Sequence, residues 1–260
     1  MKLPKPRQPS RRSSRVLDEL QRVQLTRQLH LWQRKQGHRT GTDDIICAWA
    51  GVHAQPEAKR ILDLGAGHGA VGILLAGVIP HATIVSVEAQ DVSHALLLKN
   101  IESNALDERF EAHLGDLREF DATHQTFDLV MGTPPFMPLG SGTPPKDRQR
   151  EYARFEFRGG IEAYCEAAAK HMDEHSVLVI VMDAARPKRY ERAFPEAGLH
   201  LYQRMEVLPK PGRPPTYLIY WARRTPTKDL PLVKQLAVRN NEGNWSEAFH
   251  ALRESMKLPA

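Results

Sequence analysis

The chain alternates short apolar runs with segments of helical periodicity through most of its length. Seven runs have the length and composition of buried strands: Arg60–Leu64, Thr83–Val87, Phe110–Leu114, Phe127–Met131, Val177–Met182, Leu201–Leu208 and Thr216–Ala222. Helical segments lie between them. One follows the first strand and runs through Val78, and two others cover Val92–Ala105 and Ile161–His171. This alternation predicts an α/β fold with a doubly wound, Rossmann-like sheet of seven strands, mostly parallel and covered by helices on both faces.

The last two runs interrupt the alternation, because a proline-rich loop rather than a helix joins Leu201–Leu208 to Thr216–Ala222. Strands joined in this way pair antiparallel, so we expect a C-terminal hairpin at the end of the sheet. The core domain is expected over residues 30–224. A basic arm and lead-in would occupy residues 1–29, and residues 225–260 would form a strand and helix tail that packs on the core. Ser246 is the predicted N-cap of the tail helix.

Composition excludes several classes of protein. The longest apolar run, Val71 to Ile79, is too short to span a membrane, and no apolar segment follows the basic N-terminus as in a signal peptide. Two cysteines, Cys47 and Cys165, cannot form a disulfide framework or a cysteine-based metal site. We therefore expect a cytoplasmic protein with reduced thiols and no metal. The oligomeric state is not specified by the sequence, and a monomer is the expectation.

Charge is unevenly distributed. The 36 basic and 31 acidic residues give a net charge of +5. A stretch without acidic residues carries Lys2, Lys5, Arg7, Arg11, Arg12 and Arg15. Prolines and serines between these cations predict partial disorder. The arm is then either a solvated tail or a segment that neutralises phosphates.

A glycine-rich turn follows the first strand. Gly67 to Gly72 satisfies the G-x-G-x-x-G pattern of dinucleotide-binding proteins, with Glu88 about 20 residues further on. A second frame places Asp63 at the strand end, followed by Gly65, Gly67 and Gly69. A carboxylate there favours a cationic ligand over a pyrophosphate.

The second frame resembles the first motif of class I methyltransferases, which bind S-adenosylmethionine (SAM). This resemblance implies that Asp63, Gly65, Gly67 and Gly69 contact the cofactor. It also implies that Glu88 bonds the ribose hydroxyls of SAM, and that Asp116 and Leu117 meet its adenine. Because ligands bind at the carboxyl ends of parallel strands, the positions of Glu88 and Asp116 after two successive strands support a common site.

Strand four leads into Thr133, Pro134, Pro135 and Phe136. The two prolines predict a rigid, extended turn that presents carbonyl groups and one aromatic ring. The turn resembles the Asn-Pro-Pro-Tyr/Phe motif of adenine-N6 and glutamine-N5 methyltransferases, which implies that these four residues are catalytic. Threonine in place of asparagine is a departure: its hydroxyl can still accept one hydrogen bond, but it is shorter than a carboxamide, so the substrate amine would have to sit closer or lose one contact.

Two further segments are similar to bacterial tRNA(Val) adenine-N6 methyltransferases. The segment Gln33–Asp43 ends in Gly-Thr-Asp before a helix over Asp44–Trp49, which implies that Arg39, Thr42 and Asp43 cover the cofactor. Thr42 and Asp43 are equally well explained as a helix N-cap and a first-turn acid.

A long polar segment, Leu139–Arg158, follows the tetrapeptide and corresponds to a mobile loop of these enzymes, with Ala153–Glu156 matching their Ala-Arg-x-Glu element. Tyr152 or Phe155 could stack on a base. The cations expected to bind RNA are Lys146, Arg148, Arg150, Arg154 and Arg158, with Lys210 and Arg213 from the last hairpin.

The sequence therefore predicts a SAM-dependent N-methyltransferase that acts on the N6 amine of an adenine in structured RNA, with tRNA as the expected partner. Three alternatives stay open. The first is methylation of a protein glutamine or a small amine, which would not need a basic surface. The second is an NAD-dependent oxidoreductase that uses Gly67–Gly72, and the third is an RNA-binding relative that has lost activity through Thr133.

Overall fold

The structure, a computed structural model, describes residues 19–226 and 232–259; the six cations of the basic arm lie outside them. The strands are β1 (Leu20–Gln24), β2 (His30–Arg34), β3 (Arg60–Leu64), β4 (Thr83–Glu88), β5 (Phe110–Leu114), β6 (Leu129–Gly132), β7 (Val177–Asp183), β8 (His200–Leu208), β9 (Tyr217–Arg223) and β10 (Leu232–Ala237). The α-helices are α1 (Thr42–Ala54), α2 (Ala70–Val78), α3 (Asp91–Ser103), α4 (Arg148–Arg154), α5 (Ile161–Lys170), α6 (Pro187–Glu196) and α7 (Glu247–Ser255).

The main sheet has the strand order β10-β8-β9-β7-β6-β3-β4-β5. All neighbours pair parallel except β9, which runs antiparallel to both β7 and β8. The doubly wound sheet and the C-terminal hairpin are therefore confirmed. The expected number of seven strands was wrong by one, because β10 adds an eighth strand at the edge. Four of its six residues are exposed, so it lacks the apolar run that identifies a buried strand.

Two hydrophobic layers cover the two faces of the sheet. Along β3, Ile61 packs into one layer and Leu62 into the other, as the alternation of side chains along a strand requires. Helices α1, α2, α3 and α7 contribute to the first layer, and α5 and α6 to the second. Cys47 and Cys165 are buried free thiols in opposite layers, so they cannot pair with each other.

Two strands and two helices were not predicted from the sequence. Strands β1 and β2 form a separate antiparallel hairpin, so β1 lies within the segment expected to be a lead-in. Helix α4 lies within the polar segment expected to be a loop, and the Asp147 side chain caps it by accepting a hydrogen bond from the Arg150 amide at 3.0 Å. Helix α6 is mostly polar: it buries Tyr190, Ala193 and Phe194 at helical spacing, but these three positions form too short an apolar pattern to have been identified in the sequence.

The C-terminal tail contains β10 and α7. Ser246 caps α7 as predicted, since its Oγ accepts a hydrogen bond from the Phe249 amide at 3.0 Å. Over residues 19–226 and 232–259, no helix has both the length and the apolar character needed to cross a membrane. The parallel pairing brings the carboxyl ends of β3, β4, β5, β6 and β7 to one edge of the sheet.

Candidate active site

The glycine loop joins β3 to α2 at this edge. Gly65, Gly67 and Gly69 all have positive φ, at 66°, 59° and 93°. A Cβ on Gly65 would lie only 2.1 Å from the Tyr164 hydroxyl, whereas a Cβ on Gly67 would have no heavy atom within 4 Å. Gly65 is thus required by both its backbone conformation and its packing, while Gly67 leaves open space beside the backbone.

Glu88 fixes the tip of this loop. Its Oε2 accepts a hydrogen bond from the Gly67 amide at 2.9 Å, and its Oε1 accepts one from the Gln90 amide at 2.7 Å. Burial raises the pKa of the carboxyl, and the two amide bonds oppose that shift. Each carboxylate oxygen has a second lone pair, so both can accept a further hydrogen bond from a ligand.

Glu88 lies in the glycine-loop pocket, which we define by the loop Gly65–Gly67 together with Glu88, Asp116, Leu117 and Asp44. Asp116 holds a bidentate ion pair with Arg118, at 2.9 Å to Nε and 2.7 Å to Nη2, which lowers the pKa of its carboxyl. Gly69 begins the turn into α2. The predicted cofactor residues at the ends of β3, β4 and β5 are therefore brought together at one pocket, apart from Asp63 and Gly69, which do not line it.

Asp63 lies beneath the loop, and the residues that line the glycine-loop pocket do not include it. Its Oδ2 accepts a hydrogen bond from the Gly72 amide in the first turn of α2, at 3.2 Å. Burial raises the pKa of Asp63 to about 7, helped by the nearby Asp44 carboxylate. Asp44, which the sequence did not single out, lines the pocket together with Glu88 and Asp116.

Asp44 belongs to the first turn of α1. Its Oδ2 accepts a hydrogen bond from the Gly41 amide at 2.9 Å, and burial raises its pKa to about 6. Gly41 is the N-cap residue, so the alternative explanation of Thr42 as the cap is wrong. Asp43 is a first-turn acid, as that alternative expected, and burial raises its pKa to about 6 as well.

A second cavity of about 870 Å³ adjoins the first. We call it the Pro-Pro pocket, because Thr133, Pro134 and Phe136 line it together with Asp183 and Tyr217. Thr133 also lines the glycine-loop pocket, as do His38, Asp44 and Ala153, whereas Pro135 faces the glycine-loop pocket alone. The tetrapeptide thus forms the boundary between the two pockets.

The other predicted residues divide between these pockets. Arg39 and Asp43, expected to cover the cofactor, line the Pro-Pro pocket, while Thr42 lines neither. Arg150 and Arg154 line the Pro-Pro pocket, whereas Arg158 lines the glycine-loop pocket with its guanidinium 4.6 Å from the centre of the Tyr152 ring. The remaining cations line neither pocket: Lys146, Arg148, Lys210 and Arg213.

Comparison with known proteins decides the family. Residues 51–143 match the family model of the methyltransferase small domain. A relative from Tolumonas auensis, named tRNA1(Val) (adenine(37)-N6)-methyltransferase, is 28% identical over 89% of this chain and 95% of its own length. A relative of the same name from Escherichia coli is 30% identical over 85% of this chain and 88% of its own length. The chain belongs to this methyltransferase family.

Solved structures agree on the fold. A predicted O-methyltransferase from Agrobacterium tumefaciens superposes with a TM-score of 0.59 at 17% identity, covering 84% of this chain and 99% of that one. A candidate RNA methyltransferase from Pyrococcus horikoshii gives 0.51 at 21% identity, covering 74% of this chain and 88% of that one. Membership of the family identifies the protein as a SAM-dependent methyltransferase, so the oxidoreductase alternative is set aside.

In this methyltransferase, the unpredicted hairpin β1–β2 is joined to α4 through Gln149. The Gln149 side chain donates to Ser93 Oγ at 3.1 Å and accepts from Arg34 Nη1 at 3.2 Å. Arg34 also pairs with Asp147 at 2.8 Å. As a result of these contacts, Lys35 and Arg39 line the Pro-Pro pocket together with Arg150 and Arg154. All four side chains are exposed, and we refer to them as the cationic rim.

His68 is a further residue of the glycine-loop pocket whose position the sequence did not specify. It lies inside the glycine loop, where its Nε2 is 2.9 Å from Thr40 Oγ1, and it lines the glycine-loop pocket. Burial lowers its pKa to about 3, so the imidazole is neutral and links the loop to the segment before α1. Nothing in the sequence except its position inside the loop pointed to this contact.

Proposed function

We propose that this methyltransferase transfers a methyl group from SAM to the N6 amine of an adenine in tRNA. The observation that carries the proposal is the position of Thr133, which lines both the glycine-loop pocket and the Pro-Pro pocket. A group shared by two adjoining pockets can contact two reactants at once. The names of the relatives, which specify adenine-N6 methylation of a tRNA, support the choice of substrate.

The glycine-loop pocket has the chemistry that SAM requires. SAM supplies a methyl group on a positively charged sulfur and carries an ammonium group. The carboxylates of Asp44, Glu88 and Asp116 line the pocket, and they favour a ligand that carries positive charge. Glu88 would accept hydrogen bonds from the ribose hydroxyls, and Asp116 and Leu117 would contact the adenine of the cofactor. The space beside Gly67 admits a ligand close to the backbone.

The Pro-Pro pocket has the chemistry that an exocyclic amine requires. The Thr133 hydroxyl and the Pro134 carbonyl would each accept an N–H hydrogen bond, which directs the nitrogen lone pair toward the methyl group. The new N–C bond forms as the C–S bond breaks with its electron pair on sulfur, and one N–H proton leaves to water. Phe136 would stack on the base. Aligning two bound reactants can lower the barrier by about 7–11 kcal/mol.

The cationic rim favours RNA over a protein glutamine or a small amine. Its four cations line the Pro-Pro pocket, and the ion pairs among the residues of the described ranges use other cations. Unpaired, exposed cations that line a pocket suit phosphates that flank an inserted base. Lys146, Arg148, Lys210 and Arg213 would extend this surface, and the arm at residues 1–15 is a further candidate.

Binding of bacterial total tRNA is expected to weaken steeply with salt. Each cation that neutralises a phosphate contributes about 0.9 to the slope of log K against log salt, so Lys35→Ala and Arg154→Ala should each reduce the slope by about one. Lys59→Ala is the matched control, because this exposed lysine precedes β3 at the opposite edge of the sheet. Equal slopes for the rim variants and the wild type would remove the rim from the RNA interface.

SAM affinity is expected to rise about tenfold from about pH 5 to about pH 7. Burial raises the pKa of Asp44 to about 6, so most of this carboxyl is protonated at the lower pH and cannot attract a cation. Ionisation as the pH rises restores that attraction. Calorimetric titration across this range measures the change, with Asp44→Asn expected to weaken binding and reduce its pH dependence. Asp91→Asn, an exposed acid, is the control; an unaltered pH dependence in Asp44→Asn would contradict the assignment.

The proposed function is tested by transfer of a labelled methyl group. Full-length protein is incubated with methyl-labelled SAM, bacterial total tRNA and cell extract proteins, and the labelled products are digested with ribonuclease or protease. The proposal predicts that the label becomes soluble with ribonuclease only. Protease-sensitive label would support methylation of a protein instead, and an absence of label would support the relative that has lost activity.

A further inference from the structure

With threonine at position 133, another group in the Pro-Pro pocket has to complete the set of acceptors for the hydrogens of the target amine. The family motif has a carboxamide at this position, and the oxygen of a threonine hydroxyl lies one bond closer to the backbone than the oxygen of a carboxamide. Asp183 lines the same pocket and is the last residue of β7, the strand next to β6, which leads into Thr133. Tyr217, opposite Asp183 in the β7–β9 pair, lines the pocket as well and lies 6.1 Å from Phe136 between ring centres.

The Asp183 carboxylate is held in one orientation. Its Oδ1 accepts hydrogen bonds from the Tyr190 hydroxyl at 2.5 Å and from the Ala185 amide at 3.2 Å. The Tyr190 side chain is buried, so this anchor is itself fixed. Among the contacts of residues 19–226 and 232–259, no hydrogen bond ends on Asp183 Oδ2. One carboxylate oxygen is therefore immobilised by the protein, and the other is free to accept.

We propose that Asp183 Oδ2 and the Thr133 hydroxyl together accept one of the two hydrogens of the target amine, as a shared hydrogen bond, and that Asp183 so selects an amino base. The inference rests on the proposed function and names a substrate contact for it. A carboxylate attracts an N–H donor and repels a carbonyl oxygen, so adenine and cytosine are favoured at this position over uracil or hypoxanthine. The negative charge also stabilises the positive charge that develops on nitrogen as the N–C bond forms.

Asp183→Asn is the most informative variant, because hydrogen bonds already present in the protein fix the orientation of the new side-chain amide. The Tyr190 hydroxyl and the Ala185 amide both donate to the Oδ1 position, so the carbonyl oxygen of the new asparagine stays there. Its NH2 group then occupies the Oδ2 position and presents a donor to the amine. We expect kcat for methylation of unmodified total tRNA to fall roughly 10- to 100-fold, while SAM affinity changes less than about twofold.

Two further variants separate substrate contact from a structural role. If Asp183 only anchored Tyr190, Tyr190→Phe would cost as much activity as Asp183→Asn; we expect a clearly smaller loss. Thr133→Asn supplies a longer acceptor, so adding it to Asp183→Asn should recover part of kcat.

The outcomes distinguish this inference from the proposed function. If the wild type methylates tRNA but Asp183→Asn retains full kcat, or loses SAM affinity in proportion to activity without recovery by Thr133→Asn, the inference is wrong and the function stands. If the wild type methylates no tRNA, the proposed function fails and the inference fails with it.

Discussion

Glu88→Gln is expected to weaken SAM binding about 100-fold. Both carboxylate oxygens accept backbone amides, one from Gly67 and one from Gln90, so either orientation of the glutamine amide turns its NH2 toward an N–H donor. The variant therefore loses a loop contact and a ribose acceptor together. Two hydrogen bonds to a charged group, each at the lower limit of about 1.5 kcal/mol, amount to about 3 kcal/mol, which corresponds to a loss on the order of 100-fold. Isothermal titration with SAM and with S-adenosylhomocysteine measures it.

The matched control for this prediction is Glu119→Gln, which makes the same chemical change at an exposed carboxylate. Its SAM affinity and thermal stability should match those of the wild type. Near-normal SAM binding by Glu88→Gln would mean that the cofactor does not contact this carboxylate, and the assignment of the glycine-loop pocket would have to be revised.

Thr133→Val is expected to lower kcat by roughly 5- to 150-fold with little change in SAM affinity. Valine matches the shape of threonine and removes only the hydroxyl, so the variant deletes one acceptor at the amine. A hydrogen bond made mainly in the transition state contributes about 1–3 kcal/mol, which corresponds to that range of rates. Single-turnover measurements with excess protein over tRNA separate this effect from product release.

Thr133→Asn provides the complementary test. If the acceptor is an adenine N6 amine, the longer carboxamide should keep or raise kcat, because it restores the residue that the family motif normally has. Loss of turnover in Thr133→Asn, with activity retained by the wild type, would indicate that the pocket is shaped for a different or bulkier acceptor. The methyltransferase assignment would remain, and the choice of adenine N6 would be wrong.

The parts of the site that could be predicted from the sequence share one property. The glycine loop and the tetrapeptide each follow directly after a strand, Glu88 is the last residue of β4, and parallel strands bring such positions to one edge. Local sequence therefore identified them. Glu88 also shows why a single pattern is ambiguous, since the dinucleotide frame and the SAM frame use the same acid.

The remaining parts depend on contacts between residues distant in the chain. Asp44 faces the glycine-loop pocket because α1 packs beside the sheet, which no local pattern specifies. Lys35 and Arg39 reach the Pro-Pro pocket because a short hairpin is tied to α4 by Gln149. Asp183 did carry a readable signal, an acid after a buried strand, but its orientation is set by Tyr190 seven residues later.

Methylation of adenine N6 in tRNA is tested most directly by measuring the modified nucleosides of tRNA from cells. Total tRNA is prepared from the parent strain, from a strain that lacks the gene, and from that strain carrying either the wild-type gene or Glu88→Gln. Digests are then quantified by mass spectrometry. If the protein methylates adenine N6 in tRNA, N6-methyladenosine in tRNA decreases in the deletion strain and returns with the wild-type gene but not with Glu88→Gln. Unchanged N6-methyladenosine in the deletion strain, together with loss of a different methylated nucleoside or of none, would contradict it.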